Sequence, residues 1–401
     1  MEVRPRIKSL PEEEEEGLRA HASLNHSGSF ISNHQAFQAI GQKLREVNDT
    51  LGTLQSLGIQ HVAQLPELVL VGDQSAGKSS IMSAIAGLNL PHNTGVCTRC
   101  PIHIRSSRSV STEWSCRITL QQDYAFVPGR APIAQDDVSP ENPFPPWVKQ
   151  PRVVKDFATI RDRVDSVERV LRWAQVAILN HNANHEMFIP RGTGGHDGDD
   201  DEEALARAEE RTEAKFSPNT VALEIKGPDL PDLSFYDLPG VFMNAPQDED
   251  QYLAQVVENL TREYISHPGA IILWAVPMNT DAMVSSTFKI IRQMRAEARC
   301  LGVMTKADLL PRGNHAQWIS MLEGVDHRTG LGYFVTSRPD TGDLDKQAAW
   351  EESFFNQRAR LASHAETPVW PAAFADFEDR CGVVRLKDFL SRKLAEEFAK
   401  R

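Results

Sequence analysis

Apolar residues along this chain recur at two spacings, and the alternation between them outlines the fold. Phe37, Ile40, Leu44, Val47, Leu51 and Leu54 lie three and four apart, which predicts one apolar stripe on a helix over 34–58 that stops near Gly58. Short apolar runs follow at Leu68 to Val71, Leu233 to Tyr236, Ala270 to Val276, Leu301 to Met304 and Tyr333 to Val335, and these read as strands. Val383, Leu386, Leu390, Leu394 and Phe398 return to helical spacing. Strands alternating with helices imply an α/β fold with a mostly parallel central sheet flanked by helices on both faces. No internal repeat is evident.

Two segments depart from that pattern. Residues 1–33 are polar, charged and poor in aromatics, which predicts a disordered tail. The stretch RGTGGHDGDDDEEALARAEERTEA, within about 190 to 215, predicts a solvated acidic surface insertion. The formal charge of −12 comes largely from Glu12 to Glu16 and from Asp197, Asp199, Asp200, Asp201, Glu202 and Glu203. Those eleven acids leave 44 of the 55 acidic side chains against 43 basic ones, so the remainder is nearly neutral and carries no footprint for nucleic acid or an anionic membrane. With 41% hydrophobic residues among 401, the chain can bury one large core with appendages. The apolar run Ala270 to Pro277 is far short of the roughly 20 residues of a membrane helix. No signal-peptide core opens the chain, and five scattered cysteines suit a reducing compartment rather than a disulfide framework. A cytoplasmic location is expected.

Chemistry enters between the first two strands. Gly72, Asp73, Gln74, Ser75, Ala76, Gly77, Lys78 and Ser79 form a GxxxxGK[ST] loop between the run ELVLV and the helical stretch SSIMSAIAG, in which Ser80 follows. Consecutive N–H groups of such a loop and the positive end of the next helix form an anion cradle for phosphate. Lys78 would reach the β- and γ-phosphates and the Ser79 hydroxyl would bind Mg²⁺. Asp237-Leu238-Pro239-Gly240 closes another strand, where Asp237 can hold Mg²⁺ through water and Gly240 can offer an N–H to a γ-phosphate. Thr305-Lys306-Ala307-Asp308 ends a third. The Asp308 carboxylate can accept from the ring N–H and exocyclic amine of guanine, whereas adenine would leave it buried and unpaired, so GTP is the nucleotide implied. Thr98 lies in a polar loop after the first helix and could close over Mg²⁺ when γ-phosphate is present. Cys97 and Cys100 in that loop lack the second pair that a zinc site needs. Val241 occupies the place where Ras-like GTPases carry a water-orienting Gln, and its side chain cannot hydrogen-bond water. Gln74 and Ser75, beside the phosphates, are the candidates for that task.

VGDQSAGKSSIMSAIAG, TGVCTRCP, FSPNTVALEIKGPDLPDLSFYDLPGV and ILWAVPMNTDAMVSSTFKIIRQM through VMTKADLL resemble the dynamin superfamily in order and spacing, from about residue 34 onward with less familiar sequence between about 106 and 214. The resemblance implies a P-loop GTPase domain over 59–380 with N- and C-terminal bundle helices. It implies that Gln74 positions the attacking water and that Thr98 helps. It further implies that Ser75 and carbonyls near Asn93 and Gly95 hold a monovalent cation, K⁺ or Na⁺, and that the protein dimerises through the nucleotide face with Asp281 reaching across. Thr336-Ser337-Arg338 falls in the family's last base-contacting region, with Ser337 as candidate, while Pro311 and Pro339 depart from it. Membrane remodelling, microtubule binding and a peripheral place on membranes or cytoskeleton enter only by that analogy. Residues 381–401 read as the start of the helix leading to the family's stalk, with no stalk in the sequence. The two bundle stripes would then leave apolar surface for a helix-donating partner or a full-length relative. A slow or non-hydrolysing nucleotide-dependent module that regulates a stalk-bearing relative is the alternative function, and an ATPase is disfavoured by TKAD.

Overall fold

The computed structural model of the protein describes residues 66–400 apart from 88–97, 110–112, 130–132, 162–165, 191–197, 229, 231–232, 244, 246, 312, 339–343 and 357–369. The tail and the helix predicted over 34–58 lie outside the described residues, as do Asn93 and Gly95.

Nine described strands form one sheet: β1 (Glu67–Gly72), β2 (Ile102–Arg108), β3 (Ser115–Phe126), β4 (Trp147–Ile160), β5 (Thr220–Gly227), β6 (Leu233–Asp237), β7 (Ala270–Pro277), β8 (Cys300–Thr305) and β9 (Tyr333–Val335). Their spatial order is β4-β3-β5-β2-β6-β1-β7-β8-β9. Parallel pairing joins β6 to β1, β1 to β7, β7 to β8, β8 to β9 and β2 to β5, while β2–β6, β3–β5 and β3–β4 are antiparallel. The mostly parallel sheet expected from the alternation is thus present. Leu68 and Leu70 enter one apolar cluster while Val69 and Val71 enter another, as the two-residue period of a strand buried on both faces requires.

Helices α1 (Lys78–Ala86), α2 (Val167–Leu179), α3 (Gly198–Glu210), α4 (Tyr252–Ser266), α5 (Ser286–Gln293), α6 (Ala316–Leu322), α7 (Leu344–Phe355) and α8 (Val383–Ala399) flank the sheet. Among the described residues no helix is long and apolar enough to cross a membrane. At the β8–β9 seam a Cβ on Gly302 would enter the Tyr333 ring, so glycine at 302 is what lets that ring lie flat on the strand.

Three expectations change. The less familiar stretch contains β3 and β4, a long antiparallel pair on the sheet's flank that the apolar runs did not predict. Its strands are polar because β4 is an edge strand with much of its surface in water, where Pro151 is also tolerated. The acidic segment is not wholly a solvated insertion: α3 docks through Leu205, which is fully buried, and through Glu209, whose two carboxylate oxygens each accept from Arg172 at 2.8 Å. Lastly, the stripe of α8 is not left uncovered. Leu386, Leu390 and Leu394 belong to the same buried cluster as Leu68 and Leu70, and Phe389 packs on Phe334 of β9.

Candidate functional site

β1 delivers the GxxxxGK[ST] loop to the carboxyl end of the sheet, where ligands of open α/β sheets bind. The loop holds its shape through main-chain and side-chain clasps. The Val241 N–H donates to the Gly72 carbonyl at 3.1 Å, and the Gln74 N–H donates to the Val241 carbonyl at 2.8 Å. Ser75 and Gly77 take left-handed backbone angles, φ 61 and φ 86. At Gly77 a Cβ would also crowd the Thr305 hydroxyl at 3.1 Å, so both conformation and space demand glycine. Asp73 serves architecture: its Oδ1 accepts from the N–H of Thr287 at 2.9 Å and from its hydroxyl at 2.8 Å, tying the loop to the first turn of α5. Buried Ala76 offers its carbonyl to the Thr305 hydroxyl at 2.7 Å, joining the loop to the end of β8.

Lys78 opens α1 and is buried, with its ammonium donating to the carbonyls of Gly72 and Asp73 at 3.1 Å each. Gly240 faces it so closely that an added Cβ would lie 2.9 Å from Nζ and 2.8 Å from the Gln74 Cα. The DxxG glycine is therefore packed against the phosphate loop. Gln74 and Ser75 are exposed at the loop's rim, and Ser79 and Ser80 are half-buried where α1 begins.

Asp237, at the end of β6, is fully buried. Burial pushes its carboxyl up to about 7, against the opposing pull of the Lys78 charge and the Thr98 hydroxyl. Thr98 donates to Asp237 Oδ2 at 3.5 Å, while Oδ1 has no hydrogen-bond partner. A buried, unsatisfied carboxylate oxygen beside a hydroxyl is an oxygen-rich set suited to a hard divalent cation. These residues fit Mg²⁺, and Asp237, Thr98 and Ser79 are the side chains that would hold it.

The third motif lines a cavity of about 370 Å³ that runs from Gly77 and Ser80 past Thr305, Lys306 and Asp308. Lys306 takes a left-handed conformation, φ 56, as the strand turns. The Ser337 hydroxyl bonds to the Asp308 carboxylate and accepts the Asp308 N–H at 3.2 Å, so the loosely matched Ser337 does stand at this wall. Two residues without any motif support it from α7. Glu351 accepts from the Ser337 N–H at 2.8 Å and from the Val383 N–H at 2.7 Å, and the Gln347 amide donates to the Ser337 carbonyl at 3.0 Å. Both are buried, and burial pushes the Glu351 carboxyl up to about 7. Sequence reasoning missed them because α7 also carries the polar residues Lys346, Glu352 and Ser353, and only burial sets Gln347 and Glu351 apart from these.

With this geometry in view, likeness to known proteins is informative. A sequence model described as the dynamin family matches residues 68–142 and 174–307, slightly more than half of the chain. The interferon-induced GTP-binding protein Mx1 of Bos taurus is 23% identical over 346 residues, covering 86% of this chain and 43% of that protein. Mx1 of Oncorhynchus mykiss is 25% identical over 335 residues, covering 83% and 44%. An Mx protein of Perca fluviatilis is 26% identical over 329 residues, covering 82% of this chain and 88% of that shorter relative. The chain thus spans less than half the length of the first two of these relatives.

Proposed function

Because the chain belongs to the dynamin family, we propose that it binds GTP with Mg²⁺ and hydrolyses it to GDP and phosphate. The observation that carries this reading is the approach of Gly240 to the Lys78 ammonium, whose charge also acts on the orphaned Asp237 carboxyl, next to a cavity that Gly77 and Ser80 line together with Asp308 and the Ser337 bonded to it. Phosphate would lie on the loop amides at the start of α1, and the guanine edge would meet Asp308. Mg²⁺, when bound, supplies charge neutralisation for the β- and γ-oxygens. The chain's own part is to hold the phosphates with Lys78 and the loop N–H groups, to aim the Gly240 N–H at the γ-phosphate, and to exclude competing bases at Asp308.

Orientation of the attacking water falls to Gln74 and Thr98. Val241 is excluded from it: its side chain is buried, and its main-chain N–H and C=O are both engaged by the phosphate loop. Ser75, exposed beside the phosphates, is the side chain we assign to a K⁺ or Na⁺ ion that offsets charge in the transition state, together with carbonyls of the loop containing Asn93 and Gly95. The rim of this face carries exposed Met243, Met283 and Val284, with Asp281 capping the turn that presents Met283. Apolar rim and open site together support a homodimer formed across the nucleotide face. By family analogy its setting is cytoplasmic, against membrane or cytoskeleton.

Asp308→Asn tests the reading. An amide there presents a donor where guanine also donates, and it matches the 2-carbonyl of xanthine instead. The variant is expected to lose GTP and gain XTP in titrations with fluorescent nucleotides. Unchanged GTP affinity in Asp308→Asn contradicts it.

A further inference from the structure

Thr98 is followed by an arginine whose position none of the motifs explains. The Arg99 guanidinium reaches the carboxyl end of α3, where Nη2 donates to the Glu209 carbonyl at 2.7 Å and Nη1 donates to the Thr212 hydroxyl at 2.9 Å. A cation at this end of a helix satisfies a carbonyl that has no intrahelical partner and sits at the negative pole of the helix dipole. The main chain of the same residue is held too, since the Arg99 carbonyl accepts from the Ser217 N–H at 3.0 Å. α3 is itself fixed from the other side, because both oxygens of the Glu209 carboxylate are taken by Arg172 of α2, and the two side chains are each only 9% exposed. The adjoining Thr98 side chain makes, among the described residues, one long hydrogen bond, at 3.5 Å to Asp237.

From this juxtaposition we infer that Arg99 is a positioning residue: anchored to the end of the acidic helix, it holds Thr98 over the carboxylate that would carry Mg²⁺. The inference rests on the GTPase reading above and adds to it a role for the acidic segment, as the fixed post to which the Thr98 side of the metal site is tied. Without the anchor the Thr98 hydroxyl is left, among the described residues, with a 3.5 Å bond to Asp237, and a displacement of the order of 1 Å at a reacting centre can reduce rate by about a hundredfold. The nucleotide contacts of Lys78 and Asp308 do not pass through Arg99. The fingerprint is therefore a fall in kcat and a rise in the Mg²⁺ concentration needed for half-maximal rate, with GDP affinity retained.

Arg99→Ala, Thr212→Val and the double variant test this in the full chain. Expected are a kcat lowered about tenfold or more in Arg99→Ala and by a smaller factor in Thr212→Val, with KM for GTP within about twofold. The double variant should match Arg99→Ala alone, because both changes cut one link. Hydrogen exchange at the amides of 98–100 reads the same link without turnover, and Thr212→Val should exchange faster there than the wild type. A folded Arg99→Ala protein with wild-type kcat and Mg²⁺ requirement overturns the inference, as does unchanged exchange at 98–100 in Thr212→Val. Absence of GTP turnover in the wild type would instead overturn the GTPase reading, and the exchange measurement would still decide whether Arg99 anchors the loop.

Discussion

Single residues in this site are explained by what they would lose if changed. Asp237 is held in a setting that penalises its charge, and its carboxyl is pushed up to about 7 from the ordinary 3.8. The folded protein without nucleotide therefore keeps a proton that the unfolded chain releases, so this group's stabilising contribution is complete below about pH 4 and is lost as pH rises through about 7. Thermal unfolding of the nucleotide-free protein should show a midpoint that this group lowers as pH rises from about 4 to about 7. In Asp237→Asn, which keeps the shape and removes the titration, that fall should be shallower. An identical pH slope in the two proteins would contradict this account of the carboxylate. Glu351 shares the direction of shift, also to about 7, so it contributes to the same slope and remains in the variant. Thr287, fully buried, donates twice to Asp73. Thr287→Val removes the hydroxyl bond and should destabilise the protein by about 1 kcal/mol, read from denaturant unfolding.

At the scale of elements, α8 offers the sharpest prediction. Leu390 is fully buried within the cluster that lines the sheet. Leu390→Ala should cost about 2–5 kcal/mol in denaturant unfolding, as deletion of a core leucine does. A cost well under 1 kcal/mol would contradict the burial of the stripe and favour the partly uncovered one expected from the sequence. That pattern shows which face of a helix is apolar, but not what covers it. The strands divide in the same way. β1, β6, β7, β8 and β9 were legible because strands buried on both faces are written as continuous apolar runs. WVKQPRVVKDFATI, the sequence of β4, carries charge and a proline because it edges the sheet, and no apolar run announces it. α3 was hidden by composition: acids dominate it, and only Leu205 and Glu209, four residues apart on one face, reveal the side that docks.

Across the whole molecule, the three motifs recognised in the sequence meet at one end of the sheet. β1, β6 and β8 run parallel through β7, so the turns after them, carrying Lys78, Asp237 to Gly240, and Thr305 to Asp308, are neighbours despite more than two hundred intervening residues. Their chemistry was legible because phosphate, metal and base each demand particular groups at fixed offsets. What supports them was not: Asp73 holding α5, Arg99 holding the end of α3 and Glu351 holding the base loop act across long sequence separations and obey no local pattern. The central claim is that this assembly is a GTPase site, and phosphate release by the purified protein with Mg²⁺ and either GTP or ATP tests it most directly. The account predicts turnover of GTP, background release from ATP, and loss of GTP turnover in Lys78→Ala. Release from GTP no faster in the wild type than in folded Lys78→Ala would contradict it.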